Sequence, residues 1–272
     1  MKKLPIILGV VVVLALFFPF WGGLVVSDIA AIDDSDLQLS LELPSNNAFD
    51  ALSQLEEGDA LSLLDEAVQA DGYLEPSLVE LDSFDDFLPG LTSYGDAIEE
   101  SVEAAKTMDD DLAAEELERS LKVTQMMMDA PGSLIQYLVA HTAKTLLIET
   151  ILERDLDLDL TPYQDNKSGL ILAFKVEYMM QSFAVDFGED FDTWKDEIHP
   201  NRTKKILAEK TREYITLLEV PCEETVALGE PAESQGITTF SGVNALGEML
   251  IYQLSPRADD ARSKMCELDD LF

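Results

Sequence analysis

His141, Lys144 and Glu149 lie along one stretch of the chain, with Tyr137 one turn before His141 and Thr145 one turn after it. On a helix these positions form a polar seam through the otherwise apolar run from Ser133 to Arg154. Glu177 and Gln181, four apart, make a second seam in the apolar run from Ser168 to Phe187. An imidazole, an ammonium and carboxylates brought together can pass protons, so His141, Lys144, Glu149, Glu177 and Arg202 form the candidate polar site. Open to solvent, such a cluster is an acid and base in a pocket; sealed, it is a satisfied structural network. Burying a carboxylate without a partner is costly, so Glu177 is expected to pair with Lys144 or His141. Arg202 stands at a helix start, where the macrodipole disfavours a cation, and is expected to be held by a carboxylate from the core.

Other chemistry has little footing in the residues. The chain has no Gly-x-Ser-x-Gly, no phosphate-binding glycine loop with its lysine and no His-Glu-x-x-His. With two histidines and two cysteines, no metal site and no cofactor is expected. Asp155, Asp157 and Asp159 resemble the start of a calcium loop, but Leu160 replaces the turn glycine and Asn166 stands where a bidentate glutamate belongs. Cys222 and Cys266 are the only cysteines; in an exported chain an even count favours a disulfide between them.

The elements that position these residues read as helices. Expected helices run from Asn46 or Asn47 to Glu57, Asp59 to Ala70, Pro76 to Leu88, Asp96 to Met108, and from the aspartates 109–111 to Met128. Two central helices, Ser133 to Arg154 and Ser168 to Phe187, are apolar nearly all round and should be packed on most sides. Pro200 to Leu218, Asn244 to Leu254 and Pro256 to Leu268 complete the set. Asp36 to Leu43 and Asp155 to Leu160 alternate polar and apolar residues with period two, which fits a minor two-stranded ribbon or two extended linkers. The fold expected is all-α, with paired helices in an α-hairpin, tetratricopeptide-like array.

Upstream, Leu4 to Ser27 carries no charge and spans about 35 Å as a helix, enough to cross a bilayer core. With Lys2 and Lys3 before it and aspartates after it, the orientation expected is N-terminus in the cytoplasm and bulk outside. The organisation expected is a membrane anchor over 1–27, contacting lipid through residues 4–26, an extended linker over 28–45 and a helical extracytoplasmic domain over 46–272. Secretion after signal cleavage is the alternative, disfavoured by the length of the apolar run. The whole chain has 18 Lys and Arg against 54 Asp and Glu, a net charge of -36. No nucleic-acid partner is expected of so acidic a surface.

Several short stretches together resemble an uncharacterised family of bacterial exported or membrane-anchored helical proteins. They are Asn47-Ala48-Phe49, the run from Gly132 to Val139, Glu177-Tyr178, Pro200-Asn201-Arg202-Thr203 and the run from Asn244 to Leu250, with departures at Ala245 and Glu248. The resemblance implies a helical ectodomain behind an N-terminal anchor and brings no activity with it. Two functions stand side by side. One is a membrane-tethered helical module that binds a protein or peptide of the cell envelope. The other is an envelope hydrolase or lyase using Glu177 with His141 or Arg202.

Overall fold

A computed structural model describes residues 30–56, 58–80, 91–189, 200–222 and 255–272. The described residues are helical and contain no strand; they hold nine α-helices and one 3-10 turn. Contact density divides them into two compact units. The first contains residues 30–37, 178–189, 200–213 and 255–256; the second contains 38–56, 58–80, 91–177, 214–222 and 257–272. Three helices, α7 (Lys167–Glu189), α8 (Pro200–Leu217) and α9 (Ser255–Asp269), contribute residues to both.

The second unit begins with α1 (Ala48–Leu52), α2 (Ala60–Ala67) and α3 (Pro76–Glu80). Asn47 caps α1 by accepting from the Phe49 N–H, and its amide also bonds both backbone groups of Leu74, at 2.7 and 3.0 Å. One buried side chain therefore starts α1 and fixes the loop beyond α2. Next come α4 (Leu91–Ala105), α5 (Asp110–Asp129) and α6 (Leu134–Glu153), each of which packs on the other two. Asp109 caps α5 and Ser133 caps α6, each accepting from an N–H three residues on, as the sequence leads one to expect. The start of α4 differs from expectation: the helix opens at Leu91, not Asp96. Tyr94, Ala97, Ile98, Ser101, Val102 and Ala105 recur at helical spacing and are all buried, so burial carries the helix through Gly95 and leaves Asp96 exposed within it.

The two alternating stretches do not form a ribbon. Residues 38–44 and 156–160 are neither helix nor strand, and no strand pairing joins them; a lone bridge links Asn47 to Gly72. The alternation survives as burial: Leu156 is buried, Leu158 and Leu160 are half-buried, and Asp157 and Asp159 are exposed. Side chains facing the helices produce the period of two, and a partner strand is not needed for it.

Arg154 ties the helix ends together. Its guanidinium donates to the carbonyls of Ala105 and Met108 and to Asp110, 2.7 Å away, so the last turn of α6 holds the α4–α5 connection. The C-terminal helix α9 (Ser255–Asp269) is fixed twice. Cys266 is disulfide-bonded to Cys222, and Arg262 donates to the carbonyls of Leu217, Val220 and Pro221, which lie at and just beyond the end of α8. In the first unit, Arg212 grips Asp36 through two nitrogens, at 2.6 and 2.9 Å, and Tyr178 donates to Asp34. Among the described residues no helix is long and apolar enough to cross a membrane, and the proposed anchor over 1–27 lies outside them. The expected helix from Asn244 to Leu254 also lies outside them.

Two glycines inside helices sit in opposite surroundings. A Cβ on Gly95 would meet no heavy atom within 4 Å, whereas one on Gly169 would fall 2.1 Å from the Met128 carbonyl oxygen. Replacing Gly95 by alanine therefore removes only the backbone-entropy penalty of glycine in a helix, and is expected to raise stability by roughly 0.5–1 kcal/mol. A lower melting temperature for Gly95→Ala would mean that this stretch needs glycine for a reason the packing does not supply.

Candidate functional site

Lys144 is completely buried at the centre of the second unit. Its ammonium donates to two neutral amide oxygens, Gln125 Oε1 on α5 at 2.7 Å and Asn166 Oδ1 before α7 at 2.5 Å. Those amides pass the contact outward. Gln125 Nε2 donates to Asp129 at 2.9 Å, and Asn166 Nδ2 donates to Asp269 on α9 at 2.8 Å. Tyr137 completes the group by donating to the Asn166 carbonyl at 2.9 Å. Burial pushes the Lys144 ammonium down to about 8, and Asp129, Asp165 and Asp269 oppose that fall. Burial in turn holds the Asp129 carboxyl above its ordinary range, against the pull of Gln125 and Lys144.

His141, one turn before Lys144, is 1% exposed, and neither ring nitrogen has a hydrogen-bond partner of good geometry. The Lys264 backbone faces the ring without closing such a bond, and Tyr137 lies beside it at a ring distance of 6.0 Å. Burial is the main reason its pKa falls to about 4, with Lys144 and the Lys264 ammonium lowering it further and Glu267 opposing. The sign of the resulting pH dependence is fixed. The unfolded imidazole, near 6.5, binds a proton that the folded one refuses, so this contribution to stability is full above 6.5 and is lost as pH falls toward 4. Between pH 7 and 4.5 the wild type is expected to lose roughly 2 kcal/mol more than His141→Leu. Denaturant titrations at the two pH values measure this, and parallel losses would show that the folded ring takes up protons normally.

Of the five sequence-derived residues, His141 and Lys144 lie one turn apart on the buried side of α6, and Glu149 stands away from them. Glu149 is exposed: five residues beyond Lys144 places it about 140° round α6, away from the buried network. Glu177 is 7% exposed and accepts from the Leu134 N–H at 3.0 Å, so it serves the N-terminal turn of α6 beside the Ser133 cap. The expected pairing of Glu177 with Lys144 or His141 is not made. Lys144 is held by Gln125 and Asn166, and the helix terminus gives Glu177 a donor on α6. Arg202, the third residue of α8, is half-buried. Cys222 and Cys266 are joined as expected. Among the described residues no group of three or more His, Cys, Asp or Glu could hold a metal ion.

Sequence reasoning missed Gln125, Asp129, Asn166 and Asp269, the residues that surround Lys144. Gln125 carried a signal, since it falls on the buried face of α5 with Leu117, Leu121 and Met128. A polar residue on such a stripe needs a partner.

Among the described residues, the second unit bears a groove beside α5 and another between α4 and α6. The first, of about 480 Å3, runs between residues Ser40 to Pro44, the loop from Asp71 to Leu74 and the end of α5, where Asp129 reaches it. The second, of about 380 Å3, lies between α4 and α6 and is largely apolar, lined among others by Leu91, Ile98, Ile135, Leu138, Val139 and Leu146. The sequence places apolar residues all round α6, which suggests packing on most sides. In the structure one side remains open, with Ile135, Leu138, Val139 and Leu146 only half-buried along it. Compared with family models, with curated proteins and with solved structures, the chain matches none.

Proposed function

We propose that the chain is a membrane-tethered, extracytoplasmic helical module that binds a protein or peptide in the cell envelope. In this reading residues 1–27 anchor it with the N-terminus in the cytoplasm, and its helices form the α-hairpin, tetratricopeptide-like scaffold of a bacterial exported protein. The observation that carries the reading is the apolar groove between α4 and α6. Half-buried Leu138, Val139 and Leu146 line an open channel where a free-standing core would have closed over them. The second support is negative: the residues best suited to acid–base work are committed elsewhere. Lys144 is sealed among amides, His141 is shut in the core and Glu177 serves a helix end. A hydrolase or lyase would need such groups in contact with substrate.

The test uses the full chain in its own membrane, with a photo-cross-linking residue in place of Leu138 and, as a control, of the exposed Asp111 on α5. A discrete adduct from position 138 and none from 111 is expected. Absence of an adduct at 138 would contradict the groove as a binding surface. A reporter fused after Phe272 that is active only in the cytoplasm would contradict the tethered topology.

A further inference from the structure

We infer that the occupant of the α4–α6 groove is a cationic amphipathic helix; this rests on the reading of the groove as a partner site. Both walls are α-helices, whose backbone N–H and C=O groups bond within their own helix. An extended peptide laid between them would therefore find no backbone partners for its own polar groups, whereas a helix brings its bonds with it. From Ile135 to Leu146 the open stripe is about 16 Å long, room for three turns of a docked helix. Gly95 supports the same geometry. It lies inside α4 at the groove wall, where glycine weakens a helix, yet nothing in the chain stands within 4 Å of its missing Cβ. An incoming helix gains close backbone approach there, as helices do over small residues.

The charge of the partner follows from the rim. Glu99 lines the groove, and among the described residues no lysine or arginine does. Glu149 is exposed and lies three residues beyond Leu146, so it extends the same stripe toward the C-terminal end of α6. The carboxylate that fell outside the buried network thus stands at one end of the groove. An apolar floor with acidic flanks fits a helix with Leu-type residues at i, i+3, i+4 and i+7 and Lys or Arg beside them. A second copy of this chain is a poor occupant, since at a net charge of -36 it is repelled.

The probe is a synthetic Leu/Lys amphipathic helix of about 18 residues. It is presented to the full chain in zwitterionic nanodiscs, with the photo-cross-linking residue at Leu138 as the reporter. The Leu/Lys peptide is expected to form the adduct, and the yield is expected to fall about tenfold in Gly95→Leu, which sends a side chain into the groove from a position where a Cβ meets no heavy atom within 4 Å. Reversing both flanking charges, Glu99→Lys with Glu149→Lys, is expected to cut it severalfold, and Asp111→Lys with Glu115→Lys on α5 is expected to leave it unchanged. Equal yields from a Leu/Glu peptide or from a scrambled Leu/Lys sequence would overturn the inference, as would an adduct between two copies of the chain. The two readings fail separately. An adduct in the native membrane whose cross-linked segment is acidic or extended overturns the cationic helix and leaves the binding module standing. No adduct in the native membrane removes both.

Discussion

Lys144→Ala is expected to lower the unfolding free energy by roughly 3–5 kcal/mol. The substitution empties a side-chain-sized space in a core where Lys144, Leu134, Leu147 and Leu117 are all fully buried. It also strips the ammonium donor from Gln125 Oε1 and Asn166 Oδ1, the acceptors of two buried residues. Finally it removes a cation that interacts with Asp129, Asp165 and Asp269. Lys144→Met separates these effects. It keeps most of the volume and loses the hydrogen bonds, so its cost is expected to be about 1–3 kcal/mol. Thermal and denaturant unfolding of the full chain in detergent, followed by far-ultraviolet circular dichroism, gives both numbers. Wild-type stability for Lys144→Ala would mean that the network only tolerates the charge. The pH dependence is a second check. The folded ammonium near 8 lies below its unfolded value of 10.5, so the unfolded chain holds the extra proton in that interval. Stability from this group is therefore regained as pH rises from about 8 to 10.5, and Lys144→Met should lack that rise.

Gly169→Ala is the second large effect, with an expected loss of about 2–3 kcal/mol. The first turn of α7 lies directly on the last turn of α5, and the added methyl would fall 2.1 Å from a backbone oxygen, that of Met128. A side chain can rotate away from such a clash, but a carbonyl in a helix cannot move without moving the helix. The disturbance would also reach the network, because Gln125 and Asp129 belong to that end of α5 and Asn166 stands just before α7. The contrast with Gly95→Ala, the same change in another helix with the opposite expected sign, makes the pair informative. Equal effects at the two sites would contradict the packing described for α5 and α7.

Much of the helical organisation was legible because local chemistry marks helix ends. Asn47, Asp109 and Ser133 accept from the backbone where capping residues should, and the disulfide followed from two cysteines in a chain read as exported. The start of α4 was less legible, since Asp96 has the type of a cap and only the tertiary burial of Tyr94 reveals that the helix began earlier. The apparent ribbon shows the limit of period two as a signal: alternation reports which way side chains face, and strands need a partner besides.

The polar site was legible only in part. That Lys144 and His141 lie on the buried side of α6 followed from spacing, but their partners come from residues 19 and 22 positions away and from the far end of the chain. Helical periodicity places residues on one element and says nothing about which element covers them. Glu149 illustrates the error this allows, since proximity in sequence grouped it with Lys144 while the helical angle separates them. The groove was invisible for a related reason. Apolar residues all round α6 are compatible with full burial and equally with a face held for a partner.

The central claim is that the α4–α6 groove is a binding surface rather than an accident of packing. The most direct measurement is cross-linking from position 138 in the native membrane, compared between the wild type and Gly95→Leu at equal abundance and equal melting temperature. The adduct is expected in the wild type and is expected to fall about tenfold in Gly95→Leu, because the new side chain enters the groove from a wall position where the Cβ itself is unobstructed. An adduct of the same mass and yield in both would show that the partner does not lie in the groove, and would contradict the account.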